Sequence, residues 1–259
     1  MSRALWLVLA LCAAGCATQA PEGPASGAGA IVGDAGTPRN RARVHTELAT
    51  LYYARGNMGV ALDEARVAVA ADASYATAHG VLGLVYMELR ENDLARQSFE
   101  RALSHAAEDP DINHNYGWFL CQTGKEGEAQ PYFRRALANP LYATPARSYA
   151  AAGTCALRIG RLAEADDNLG RALTIDPSQP TALLQSALLR YRQGRFDEAR
   201  RLMARQAQVA EATPESLWLA LRIERRRGAR ADELSYANRL RRMFPDSPQY
   251  QALRRGEYD

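Results

Sequence analysis

A period of thirty-four residues constrains this 259-residue chain more than any other feature. Gly56, Gly124, Gly160, Gly194 and Gly228 stand in register, with Arg90 taking the glycine's place in the second unit, at spacings of 34, 34, 36, 34 and 34. Five residues after each lies a small residue (Ala61, Ala95, Ala129, Ala165, Ala199), a rule that Glu233 breaks. Seven residues before each lies another (Ala49, Gly83, Gly117, Gly153, Ala187), with Leu221 as the departure. Small side chains at two fixed places in a helical period mean that two helices cross closely there. Leu82, Tyr86, Phe99, Tyr116, Phe133 and Leu169 supply the bulk around the crossings. Pro110, Pro177, Pro180, Pro214 and Pro245 mark helix starts and ends, where proline is tolerated. Each unit therefore reads as a helix–turn–helix whose apolar face only its neighbours complete. The expected fold is all-α, a right-handed superhelical solenoid of six hairpins with a concave groove lined by the first helix of each.

These spacings are the tetratricopeptide pattern, with units expected at 42–75, 76–109, 110–143, 146–179, 180–213 and 214–247. Thr144 and Pro145 lengthen the third junction. Residues 248–259 read as a polar capping segment, helical around Tyr250 to Arg255.

The start of the chain is of another kind. Arg3 precedes a short apolar core over residues 5–14, closed by Ala13-Ala14-Gly15-Cys16. Such a core is too short to span a bilayer and reads as a cleaved secretory leader, residues 1–15. The closing residues resemble a bacterial lipobox, which implies that Cys16 becomes the acylated N-terminus of the mature protein. The alternative is an ordinary leader cut near Ala17 or Ala20. The residue after the cysteine, Ala17, is not the aspartate of inner-membrane retention, so the outer membrane is the expected site. Glycine and proline then dominate to about Arg41 without any apolar period, which describes a flexible tether over 16–41.

Of four cysteines, Cys12 leaves with the leader and Cys16 carries lipid, so Cys121 and Cys155 remain, on first helices of adjacent units. In an oxidising compartment a pair tends to bond. A bridge needs Cα atoms within roughly 7 Å; two buried thiols, or a redox or metal pair, are the other readings. His45, His79, His105 and His114 are scattered at no ligand spacing and read as polar or boundary residues. No nucleophile elbow, phosphate loop, dinucleotide motif or zinc cluster is present. The acid pairs Asp166/Asp167 and Asp197/Glu198 read as exposed, so no enzyme activity, metal or cofactor is expected. A formal net charge of +3 gives no pull toward nucleic acid, and Arg200/Arg201, Arg225 to Arg227, Arg241/Arg242 and Arg254/Arg255 read as solvated faces. The groove is more telling. Thr46, Thr50, Tyr53, Gly80, Val81, Leu84, Met87, His114, Trp118 and Gln122 fall on its expected wall, apolar at the centre and suited to a partner's helix or extended peptide. The competing expectation is that Leu84 and Trp118 pack between repeats.

One resemblance goes further. The stretch Asn113-His114-Asn115-Tyr116-Gly117-Trp118-Phe119-Leu120-Cys121 resembles the third repeat of the type IV pilus biogenesis and stability lipoproteins, the PilF/PilW family. The lengthened junction over 139–149 is similar to that family too, as are the six repeats, the lipobox and the cysteine pair. The resemblance implies a Cys121–Cys155 pair like the family's and a lipid-anchored, pilotin-like factor on the periplasmic leaflet of the outer membrane. Its implied partner is the pilus secretin, which it helps to localise or assemble, or it keeps pili functional in twitching motility. The implied partner surface is the early groove at Tyr53, Val81, Leu84, Met87 and Trp118. A monomer is expected. The alternative is a repeat lipoprotein serving outer-membrane barrel assembly or cell-wall synthesis.

Overall fold

A computed structural model describes residues 36–258. The leader, Cys16 and most of the expected tether lie outside those residues. Six helical hairpins follow one another: α1 (Pro38–Ala54) with α2 (Met58–Ala71), α3 (Ala76–Glu88) with α4 (Asn92–His105), α5 (Pro110–Gln122) with α6 (Glu126–Ala138), α7 (Pro145–Arg158) with α8 (Leu162–Ile175), α9 (Pro180–Arg192) with α10 (Phe196–Val209), and α11 (Pro214–Arg227) with α12 (Arg230–Met243). A short α13 (Pro248–Arg255) closes the series. No strand occurs among the described residues. Each helix packs on its hairpin partner and on the next hairpin, and first helices also touch first helices: α1 with α3, α3 with α5, α5 with α7, α7 with α9 and α9 with α11.

The hairpin bends need a left-handed residue, and the register glycines supply it, from φ 73° at Gly228 to φ 79° at Gly124. Arg90 takes the same conformation at φ 63°, at a cost of about 1 kcal/mol for a residue with a Cβ. First helices begin with proline in the last four hairpins, where its missing N–H would be unsatisfied anyway. Caps reinforce them: Asp109 accepts from the Ile112 amide at 2.9 Å, and Thr213 and Ser216 form a reciprocal box.

The helix crossings explain the small residues. A Cβ added to Gly83 would stand 2.9 Å from the Phe99 ring, one on Gly117 3.0 Å from Phe133, and one on Gly153 2.7 Å from Leu169 Cγ. Phe99, Phe133 and Leu169 are fully buried in those gaps.

Two expectations need correction. The first helix starts at Pro38, inside the stretch assigned to the tether. Polar contacts extend it, with Arg39 bonded to Asp72 at 3.0 Å and its guanidinium 4.4 Å from the Tyr75 ring centroid, which an apolar period does not register. The arginines of the last repeats are also more than a solvated face. Glu233, at the small-residue position, is buried and held by Arg225 at 3.0 Å and Arg230 at 2.9 Å. Glu224 is buried beside it and held by Arg227 at 2.6 Å and Arg200 at 3.2 Å. Buried carboxylates need such partners. The acid pairs on α8 and α10 are engaged as well, Asp166 by Arg190 at 2.8 Å and Asp197 by Arg227 at 2.8 Å.

Close crossing makes a specific prediction. Gly153→Ala should lower stability by about 1–3 kcal/mol in urea unfolding, because the Leu169 amide nitrogen as well as its side chain stands in the way. Gly170→Ala, on α8 with nothing within 4 Å, should raise it by about 0.5–1 kcal/mol. Equal effects of the two would remove the crossing as the reason for the small residues.

Candidate functional site: the concave wall of the repeats

The wall of the first three hairpins presents an apolar strip. Tyr53 on α1, Leu84 and Met87 on α3 and Trp118 on α5 are each half-buried, with one side against the core shared by these repeats. Leu84 and Trp118 each pack against the core on one side and stay partly exposed on the other. Val81 does not. It is buried in the core between neighbouring first helices, so it shapes the wall and offers a partner little surface. Thr46 and Gly80 are likewise buried. Thr46 donates to the Ala42 carbonyl at 2.7 Å, and Gly80 faces Ile112, 3.5 Å from where a Cβ would stand.

His114 is a further correction. Expected on the groove face, it is only 2% exposed. Its Nδ1 lies 2.8 Å from Ser148 Oγ, and that hydroxyl donates to the Tyr142 hydroxyl at 3.0 Å. Burial holds the imidazole well below its ordinary pKa, at about 3, with the Arg147 charge adding to the effect. The ring is therefore neutral and serves the junction of repeats three and four. The other histidines are also engaged: His45 with Glu64 at 2.6 Å, and His79 with the Ala73 carbonyl at 2.9 Å and stacked on His105.

Cys121 on α5 and Cys155 on α7 lie at the same junction, with sulfurs 2.04 Å apart and Cα atoms 5.8 Å apart. Arg158 donates to the Cys121 carbonyl at 3.1 Å and to Gln122 Oε1 at 3.3 Å, and its guanidinium lies 5.9 Å from the Trp118 ring centroid. Beyond Trp118 the wall continues as a shallow hollow over Ala150 and Ala151, bordered by Arg147 and Thr181. Sequence reasoning had not reached these residues, although their register shows them: Ala150 and Ala151 occupy the repeat positions of Gly80 and Val81. Small side chains there deepen the groove. Burial and the Glu88 charge push the Tyr53 hydroxyl above its ordinary pKa, with the Arg147 charge acting in the opposite direction.

Among the described residues no cluster of acidic, histidine or cysteine side chains has metal-holding geometry, and none of the described helices is long and apolar enough to cross a membrane. What the wall offers chemically is shape, apolar contact and, toward Arg147 and Arg158, positive charge.

Two outcomes follow at the junction. His114 has a depressed pKa in the fold, so its contribution is complete above the unfolded value near 6.5 and is lost as the pH falls toward 3. The limit is about 1.4 kcal/mol per pH unit. A His114→Gln variant, weaker at pH 7, should lose less between pH 7 and pH 4 in denaturant titrations; parallel losses would count against the neutral buried ring. Cys121→Ser with Cys155→Ser should reduce stability by about 3–4 kcal/mol, the loop-closure value for a separation of 34 residues, read as a lower urea midpoint that reductant no longer shifts.

The tetratricopeptide repeat model matches residues 76–109 and 146–179. The type IV pilus assembly protein PilF of Pseudomonas aeruginosa is 29% identical over 249 residues, 96% of each chain. The crystal structure of PilW, described as a widely conserved type IV pilus biogenesis factor, superposes with a TM-score of 0.74 at 29% identity, over 82% of this chain and 97% of that one. The structure of Pseudomonas aeruginosa PilF gives 0.73 at 27% identity, over 85% and 99%. With tetratricopeptide repeats matched and similarity to PilF and PilW along nearly the whole length, this chain is a PilF/PilW-like tetratricopeptide-repeat protein.

Proposed function

We propose that this chain is a lipid-anchored adaptor of type IV pilus biogenesis that binds the pilus secretin through the apolar wall of its first three repeats and promotes its localisation or assembly. The observation that carries the reading is the half-exposed strip of Tyr53, Leu84, Met87 and Trp118, backed by the shared core and thereby held in place. Aromatic and long aliphatic side chains fixed on rigid helices lose little entropy on contact, which is how a groove takes up an amphipathic helix or extended segment. Similarity to PilF and PilW along the chain supplies the pilus context. The lipobox ending in Cys16 supplies the anchor; its acyl chains would hold the repeats at the periplasmic leaflet of the outer membrane, since more than one chain is needed for a firm hold. The protein acts by binding and carries out no reaction of its own.

Affinity purification of the mature protein from detergent-solubilised envelopes, read by mass spectrometry, should recover the secretin. Leu84→Asp with Met87→Asp should reduce that recovery by about tenfold or more, as loss of a central apolar contact does. Undiminished recovery with the double variant would exclude the early wall as the contact. Recovery of barrel-assembly or cell-wall proteins with no pilus component would overturn the pilus assignment in favour of the scaffold alternative.

A further inference from the structure

The concave wall changes character in its last two hairpins, from apolar to arginine-lined. Arg192 on α9 caps the preceding first helix, donating to the Leu157 carbonyl at 2.9 Å. On α11, Arg222 lies with its guanidinium 4.7 Å from the Tyr191 ring centroid, and its Nε is buried without an acceptor. Arg226 is exposed, and neither it nor Arg222 has a carboxylate within ion-pairing distance among the described residues. The neighbouring Arg225, Arg227 and Arg230 are committed to Glu224 and Glu233. The buried Nε of Arg222 is a donor without an acceptor, and with the exposed charge of Arg226 one turn on, this face suits an acidic acceptor.

The chain itself shows what else fits there. Gly256, at φ 72°, ends α13 in the left-handed conformation, and the Glu257 amide donates to the Ala252 carbonyl at 3.0 Å. This turn sends the tail back over α11. The Tyr258 ring lies parallel to Trp218, with centroids 5.7 Å apart and 13° between planes, and the Arg225 guanidinium carbon sits 3.8 Å from the Tyr258 centroid. Among the described residues, the contacts that hold Tyr258 are those of its ring. The Glu257 carboxylate turns to Arg255 at 2.8 Å, so Tyr258 brings an aromatic ring into the site while no carboxylate of the described residues pairs with Arg222 or Arg226. Between them remains an open hollow of about 280 Å³, lined by Tyr191, Arg222, Arg225, Arg226, Gly256 and Tyr258.

We propose that this arginine-lined end of the wall is a second peptide-binding site, taking a partner segment that carries an aromatic side chain beside carboxylates, and that Tyr258 is a displaceable occupant of its aromatic position. The partner's ring would replace Tyr258 on Trp218 under Arg225, and its carboxylates would engage Arg222 and Arg226. A peptide fits better than a bilayer surface, because the arginines line the inside of a concave wall around a stacked ring. The site is separate from the early apolar wall and does not depend on the identity of the partner bound there.

The test titrates a fluorescein-labelled synthetic peptide with two Glu-Tyr-Asp triplets into the full mature chain carrying Trp118→Phe, followed by anisotropy and by the fluorescence of Trp218. A control peptide carries lysine for the acids and alanine for tyrosine. Tyr258→Ala should tighten binding of the acidic peptide about five- to tenfold by vacating the ring position. Arg226→Glu, at an exposed side chain that leaves the fold alone, and Arg222→Glu with Arg226→Glu should each weaken it, the pair by about tenfold or more. The early-wall double variant Leu84→Asp, Met87→Asp should leave this titration unchanged. Equal affinity with and without Tyr258, equal affinity for the two peptides, or insensitivity to Arg226→Glu would overturn the proposal. So would sedimentation of the chain with phosphatidylglycerol vesicles through Arg222 and Arg226 in the absence of peptide binding.

Discussion

Close crossing of the two helices in each hairpin is the constraint on which everything else rests. At Gly83 and Gly153 a methyl group would collide with Phe99 and Leu169, and at Gly117 it would press on Phe133. That proximity lets a ring or branched side chain from the second helix fill the space under the first, and interiors packed this tightly hold their geometry. The first helices are thereby set at fixed spacing, and the concave wall is simply their outer side. The wall is rigid because the crossings behind it are.

The sixth hairpin shows what happens when the constraint is relaxed. With Leu221 and Glu233 at the two small positions, the hairpin replaces a close apolar crossing by a buried leucine and a buried carboxylate. Arginines must then converge on that carboxylate and on Glu224. One consequence is a dense arginine population at the end of the solenoid, part of it consumed by structure and part left facing the groove. The arginine at the end of the first helix has a structural use elsewhere too, since Arg158 and Arg192 each reach back to a carbonyl near the end of the preceding first helix, where cations are favoured.

The residues that carry the family resemblance turn out to do two kinds of work. Asn113 donates to the Ala107 and Asp109 carbonyls, His114 meets Ser148, Tyr116 meets Glu100 and the edge of Tyr132, Gly117 admits Phe133, and Cys121 meets Cys155. The bonds of Asn113, His114 and Cys121 and that of Tyr116 to Glu100 join repeats two, three and four to one another, while Gly117 with Phe133 and Tyr116 with Tyr132 close the third hairpin on itself. Trp118 turns a face to the groove while its other side packs on the core, and Asn115, half-buried, accepts from Arg147 at 3.4 Å. A motif so rich in polar and aromatic residues invites a binding interpretation, yet most of it is junction chemistry.

The sequence by itself determined the fold, because a period of thirty-four with glycine at the bend and small residues at two offsets has one economical solution. It located the first helices, the lengthened junction and the cysteine pair's neighbourhood for the same reason: all depend on contacts of fixed spacing along the chain. Only the tertiary structure decided how much of each wall residue reaches solvent, since exposure depends on neighbours contributed by other repeats. Thus Val81 and His114 were assigned to the groove by register and are buried by the helices on either side, while Leu84 and Trp118, in the same register, keep a face outward. The arginines of the last repeats followed the same rule, their partners being set by two carboxylates whose burial no local pattern reveals. The return of Tyr258 onto Trp218 likewise joins residues forty positions apart through a turn whose direction is set only once α13 has packed on α11 and α12.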